Sequence, residues 1–460
     1  MKKFILTSGW LLFAVFSFTQ TIHQKLQKAF QQFESDAQLK HGISSLFVMD
    51  AKTGKIVFDK NSQVGLAPAS TQKIITSITA FELLGKDYRY KTEFGIEERN
   101  GISNLWIMPS GDPSFGSWRW ESTKEKNVVS RIMKAMKVTK LNSVETIYVE
   151  AKGWNAEQIP DGWIWQDIGN YYGAGAEVLN WRENQYDIIL KSGNRIGDMV
   201  TIVATKPDLY SLPIVSEATS AAKGSGDNTY IYIPVYRTNT TIRGTIPINE
   251  NQFEVSGAMI NPANQFIETL KDSLKEKFNQ KSHLSSVYTY EPLKNRPKII
   301  HTEFSPSLDS IIYWLNKKSI NLYAEALIKT FAYQKQGFGS TDSGVAIVKS
   351  FWKQKGLDED ELNISDGSGL SPQNRVTTHA QVDILKYART RDWFPYFYNS
   401  LPEYNGMIMK SGTIKDVKGF CGYHKAKDGT EYIFSFLVNN YNGPSSGLVN
   451  KMYRVLDVLK

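Results

Sequence analysis

Ser70 and Lys73 stand three residues apart in "PASTQKIIT", at the mouth of an apolar run. Residues at i and i+3 share a helix face, so a hydroxyl and an amine placed this way can touch. A serine hydroxyl attacks a carbonyl well only when a neighbouring base takes its proton. A free lysine, with a pKa of about 10.4, is a poor base at neutral pH. Burial and a nearby cation lower that value. The pair therefore reads as a nucleophile with its base, or as an ordinary helix start with an N-cap serine and a solvated lysine.

Spacing alone does not decide. S-x-x-K occurs three times, at Ser70/Lys73, Ser220/Lys223 and Ser350/Lys353. S-x-N occurs twice, at Ser192/Asn194 and Ser319/Asn321, and Lys-Ser-Gly twice, at residues 191–193 and 410–412. Context separates them. "AAKGSGDN" around Ser220 reads as loop, "LKSGNRIG" as a hairpin turn, and "VKSFWKQKG" as a helix end with a solvated lysine. In the remaining set, Ser70/Lys73 opens a buried helix, Ser319/Asn321 sits between two helices, and Lys410-Ser411-Gly412-Thr413 lies on a strand.

Each residue type suits a part of acyl transfer. The charge of Lys410 can depress the pKa of Lys73 across a cleft, and the hydroxyl of Ser319 can relay a proton to a leaving amine. The amide of Asn321 can hold a substrate amide. Backbone N–H groups of Ser70 and Thr413 can form an oxyanion hole. Gly412 allows a substrate backbone close to the strand. Lys410, with the hydroxyls of Ser411 and Thr413, can bind a terminal carboxylate. "SDGSGLS" adds Ser368, Gly369 and Leu370 as cleft-wall candidates, or it is simply a tight turn.

The elements that must carry this set are legible in the periodicity. Residues 22–41 read as an amphipathic helix and "SSLFVMDAKTGKIVFDKN" as a hairpin. Ile74, Ile75, Ile78, Phe81 and Leu84 form an apolar stripe that stops at Gly85. From about Tyr88 to Arg296 short β-like runs alternate with turns, and this stretch reads as a separate β-rich insertion. The aromatic block "DGWIWQDIGNYY" within it is expected to form insertion core. Two helices joined at "KKSIN" follow, then antiparallel strands through "MIMKSGTIK", "GFCGYHKA" and "EYIFSFLVNN", and a closing helix. The class is α+β, helices against an antiparallel sheet.

Bulk properties narrow the setting. A chain of 460 residues suggests about three domains. "MKKFILTSGWLLFAVFSFTQ" has the layout of a secretory leader, expected over residues 1–20, and no later run is apolar and long enough to span a bilayer. Loss of Lys2 and Lys3 with the leader takes the net charge from +8 to +6. That suits an anionic polymer or envelope, while dispersed cations argue against nucleic acid. The single cysteine, Cys421, reads as a core thiol that can form no internal disulfide. No phosphate-binding loop, H-E-x-x-H, zinc spacing or G-x-S-x-G elbow is present, so neither metal nor cofactor is expected.

Together "PASTQK", "SPSLDSIIYWLNKKSINLYAEAL", "SDGSGLSPQNRVT" and "MKSGT" resemble blocks of the low-molecular-mass class C penicillin-binding proteins, D-alanyl-D-alanine carboxypeptidase/endopeptidases. "PSGDPSF" and "IPDGWIWQDIGNYYGAGAEVLNW" extend the resemblance into the insertion, from about residue 21 to the C-terminus. The resemblance implies a catalytic domain similar to serine β-lactamases, over 21–88 and 296–460. It is interrupted at 89–295 by an insertion of two small domains, one nested in the other. The 249 residues between Ser70 and Ser319 fit that insertion. Two residues depart from the pattern. Ser411 replaces the usual threonine and keeps its hydroxyl, and Ile320, mid-motif, is expected to point away from the cleft. The implied protein is an exported, periplasmic or envelope-associated serine peptidase that cleaves peptidoglycan stem peptides and is acylated at Ser70 by β-lactams. Carboxypeptidase or endopeptidase preference stays open, as does oligomeric state. A serine β-lactamase or a non-catalytic wall-binding scaffold of the same fold remain the alternatives.

Overall fold

The computed structural model describes residues 20–99, 102–139, 144–210, 213–236, 238–278, 284–291, 293 and 295–460. The expected leader lies, but for Gln20, outside them. Six antiparallel strands form the central sheet, in the order Glu403–Tyr404, Met407–Ile414, Val417–Lys425, Glu431–Asn439, Ile43–Asp50 and Ile56–Lys60. Alternation along the strands sends Leu46, Val48, Phe434 and Phe436 to one face and Phe47, Met49, Cys421 and Ile433 to the other. The first face is covered by the terminal helices Ile22–Glu34 and Ser445–Leu456. The second carries Lys73–Leu84, Leu308–Lys318, Asn321–Gln336, Thr341–Gln354 and Thr378–Ala388. Cys421 is fully buried there, as its strand context implies.

The first helix is shorter than its periodicity suggests. It ends at Glu34, and the side chain of Asp36 then accepts from the Gln38 backbone N–H to start a separate 3-10 turn, Ala37–Leu39. A local side-chain bond here outcompetes continued helix.

Between the nucleophile helix and Leu308 the chain builds two further cores. One is a five-stranded sheet, Ser285–Thr289, Thr146–Glu150, Ile102–Met108, Lys91–Arg99 and Lys298–Phe304, with helices Glu125–Val138 and Pro262–Phe278 against it. Helix Glu125–Val138 was not anticipated, although Val128, Val129, Ile132, Met133 and Met136 repeat at helical spacing. The second core gathers Tyr186, Ile188, Leu190, Ile231, Ile242 and Val255 from short strands between residues 185 and 258. Ser220 lies on one of these, Thr219–Ala221, and not in a loop. Outgoing strand Lys91–Arg99 and returning strand Lys298–Phe304 pair side by side, just past the boundary expected at 295/296.

The insertion is fastened to the catalytic helices by a buried acid. Glu183 accepts from Ser117 Oγ (2.6 Å), Arg119 Nε (2.7 Å) and Tyr323 Oη (2.7 Å), the last on helix Asn321–Gln336. Breaking a buried charged cluster at one member costs about 3–5 kcal/mol. Glu183→Ala is therefore expected to lower unfolding free energy by about that amount in urea titration, with Glu183→Gln losing less. An unchanged midpoint in Glu183→Ala would show that the cluster does not fasten the two parts.

Candidate active site

Ser70 occupies a 3-10 turn, Ala69–Gln72, immediately before helix Lys73–Leu84. Ala69 takes a left-handed φ of 47° to make the turn, a conformation that costs an L-residue about 1–2 kcal/mol. Two glycines make room for it. A Cβ on Gly369 would fall 1.9 Å from the Ala69 carbonyl oxygen, and one on Gly412 would fall 2.6 Å from the Pro68 oxygen and 2.9 Å from the Ser70 nitrogen. Gly412 thus lets strand Met407–Ile414 lie against the nucleophile turn. The close approach is by the protein's own backbone, whereas substrate backbone was expected there.

Lys73 is fully buried, and its Nζ reaches Ser70 Oγ at 2.9 Å, Asn321 Oδ1 at 2.6 Å and the Ser368 carbonyl at 2.7 Å. Burial holds its pKa well below the lysine range, and the charge of Lys410 pushes it further down against Glu325 and Asp366. A neutral amine has two N–H groups and one lone pair. With both N–H groups given to Asn321 and Ser368, the lone pair faces the Ser70 hydroxyl and can take its proton.

Asn321 is engaged at both ends, accepting from Lys73 and donating Nδ2 to the Tyr172 carbonyl at 2.7 Å. Its amide positions the base and ties it to the insertion. Ser319 caps helix Leu308–Lys318 in a left-handed conformation, φ 57°. Its hydroxyl accepts from Lys410 Nζ at 3.0 Å, and Lys410 also donates to the Ser411 carbonyl at 2.7 Å. Burial pushes Lys410 down to about 7. Among the described residues no hydrogen bond joins Ser319 to Ser70 or Lys73; the two serines meet across the cleft they both line.

That cleft has a volume of about 880 Å³. Thr413 and Leu370 line it, while Ser411 is half-buried and outside its wall. Ser368 and Gly369 lie beneath it, fully buried, with Ser368 contributing its carbonyl to Lys73. The loop is held from below: Glu325 accepts from the N–H groups of Gly367 (2.9 Å) and Ser368 (2.8 Å). Asp366 accepts from Gln72, Gly369, Ser371, Asn374 and Trp163. Burial and Asp366 raise Glu325 to about 8.

Two expectations change. Ile320 lines the cleft as well as joining the core. The block "DGWIWQDIGNYY" is cleft wall and not insertion core, because Ile164, Trp165 and Tyr171 are exposed and Ile164, Gln166, Asp167, Tyr171 and Tyr172 face the cavity. Sequence reasoning also missed Glu325, whose signal is a lone acid in the apolar run "NLYAEALI", and Lys418, whose Nζ lies 2.7 Å from Thr413 Oγ1. Strand pairing of Thr413 with Lys418 places that cation at the cleft edge.

The chain matches the D-Ala-D-Ala carboxypeptidase 3 (S13) family over residues 24–403. It is 24% identical over 454 residues to a D-alanyl-D-alanine carboxypeptidase of Actinomadura sp., covering 89% of this chain and 80% of that protein. It is 22% identical over 417 residues to the D-alanyl-D-alanine carboxypeptidase DacB of Haemophilus influenzae, covering 84% and 83%. Among solved structures, penicillin binding protein 4 (dacB) from Haemophilus influenzae superposes with a TM-score of 0.78 at 17% identity, covering 94% of this chain and 98% of that one.

The two lysines give opposite pH demands. Lys73 must be neutral to accept a proton, and Lys410 must be charged to hold a carboxylate. Acylation by a carboxylate-bearing substrate should rise as Lys73 deprotonates and fall as pH passes about 7, where Lys410 loses its proton. Arginine stays charged throughout. In kcat/KM profiles from pH 5 to 10, Lys410→Arg should therefore remove the alkaline limb, and a limb left in place would belong to another group. Gly412→Ala should slow acylation at least tenfold, read as single-turnover rate, because the added methyl displaces the Ser70 turn; a wild-type rate would show that the turn tolerates the shift.

Proposed function

Because the chain belongs to the D-Ala-D-Ala carboxypeptidase 3 (S13) family, we propose that it is a serine-type carboxypeptidase, endopeptidase or both, acting on peptidoglycan stem peptides with Ser70 as nucleophile. The observation that carries this reading is the buried amine of Lys73, aimed at the Ser70 hydroxyl with its other hydrogen bonds already made. Lys73 takes the Ser70 proton as Oγ attacks the carbonyl between two D-alanines. The oxyanion is met by the backbone N–H groups of Ser70 and Thr413. The tetrahedral adduct collapses, the C–N bond breaks, and the amine leaves with a proton relayed through Ser319. Water then hydrolyses the ester and regenerates Ser70. The substrate's terminal carboxylate is held by Lys410 and Thr413, with Lys418 beside them and Ser411 lending its carbonyl to Lys410.

The same arrangement is expected to be acylated by β-lactams, whose strained amide presents a carbonyl and a carboxylate to the same groups. Residues 21–88 with about 305–460 form the catalytic unit in this reading, and the chain between them, which closes its own sheet with Lys298–Phe304, is the unit that supplies the far wall of the cleft. The leader-like first 20 residues support a position in the cell envelope, outside the cytoplasm.

Intact mass after incubation with benzylpenicillin tests the nucleophile. One adduct is expected on the wild type and none on Ser70→Ala, with D-alanine release from a pentapeptide ending in D-Ala-D-Ala falling by about 10⁴-fold or more in the variant. A persistent adduct fits a peptidase. Rapid turnover of the drug would make the protein a β-lactamase, and neither adduct nor turnover would leave a scaffold.

A further inference from the structure

A second cavity, of about 220 Å³, opens on the inserted region, and none of its lining residues lines the catalytic cleft. Its walls are aromatic: Trp154 is buried, Tyr288 is half-buried, and Tyr290 stands 58% exposed. Asn155, Asn261 and the carboxyl group of Glu177 complete it.

Glu177 is half-buried at the wall of this cavity and differs from the paired acids beside the cleft. Glu183 is ion-paired with Arg119, and Glu325 and Asp366 are saturated by backbone N–H and amide donors. Glu177 accepts one hydrogen bond from the Gln158 amide, and among the described residues no cation lies within ion-pairing distance of it. Lys329, whose charge acts on it, gives its amine to the carbonyls of Glu157 and Ala176 instead. Burial pushes Glu177 up to about 8. The indole N–H of Trp154 is a second unfinished group, buried in the wall with no hydrogen-bond partner in the protein.

A carboxyl group without a counter-ion, in a cavity lined by three aromatic side chains, favours a cation, whose charge draws the group into its ionised form. Ring quadrupoles attract the cation, and the carboxylate forms a charge-assisted hydrogen bond with it. The narrow volume restricts the cation to a slim group. We propose that this cavity is a second binding site, which takes a primary ammonium group carried on a short aliphatic chain. The site stands apart from the cleft and does not rest on the reading of Ser70.

A ligand-observed NMR titration of the full chain tests it, with 5-aminopentanamide as the probe and hexanamide, in which a methyl replaces the ammonium, as the neutral control. The charged probe should bind and hexanamide should not. Glu177→Gln should weaken binding at least tenfold, and Tyr290→Ala, at an exposed position that leaves folding alone, several-fold. Asp167→Asn, which removes the one carboxylate lining the catalytic cleft among the described residues, should leave binding unchanged. If Glu177→Gln fails to fold by thermal melting, Tyr290→Ala decides. Equal binding of hexanamide, wild-type binding in both cavity variants, or loss of binding in Asp167→Asn would each overturn the assignment.

Discussion

The structure is organised around a lysine amine that has been taken out of water without a counter-ion. An ammonium in that position is costly, so the protein holds Lys73 toward its neutral form and gives it neutral partners. Asn321 Oδ1 and the Ser368 carbonyl satisfy the amine without restoring its charge. Carboxylates closer to it would do the reverse. Glu325 and Asp366 are near enough to act on Lys73, but their oxygens are spent on the backbone of the 366–371 loop. The same two acids that shape the loop are thereby kept from forming an ion pair with the base.

The inserted region belongs to this arrangement as much as the sheet does. It gives the Tyr172 carbonyl to Asn321, the Trp163 indole to Asp366, and the Glu157 and Ala176 carbonyls to Lys329. One of these contacts falls on Asn321, a direct partner of Lys73, and another on Asp366, in the loop whose Ser368 carbonyl holds the same amine. The wall opposite the nucleophile is therefore also a brace for the base, and a change in the insertion can reach the chemistry without touching substrate.

Much of this was legible in the chain and some was not. The sheet, the flanking helices and the Ser70, Ser319 and Lys410 elements follow from local periodicity and turn residues, because each is written within a dozen positions. The partners of Lys73 are not local: Asn321 and Ser368 lie 248 and 295 residues away. Motif spacing and context brought Asn321 into the set, but its engagement at both ends depends on how the insertion docks. The aromatic block at 161–172 was misplaced for the same reason. Tryptophans and tyrosines suit a core or a cleft wall equally well, and only the packing of one unit against another distinguishes them. Glycines 369 and 412 could be seen as conformationally free, but not as the two surfaces between which the Ser70 turn is held.

Those separations along the chain also set an order in time. During synthesis Ser70 and Lys73 emerge early, on a turn that has neither of its flanking glycines, while the groups that bury the amine follow some hundreds of residues later. Until then Lys73 is a hydrated, fully charged lysine and Ser70 an ordinary alcohol. The nascent chain has no assembled nucleophile and base until the residues that hold the amine, and the strand bearing Gly412 and Lys410, have been made.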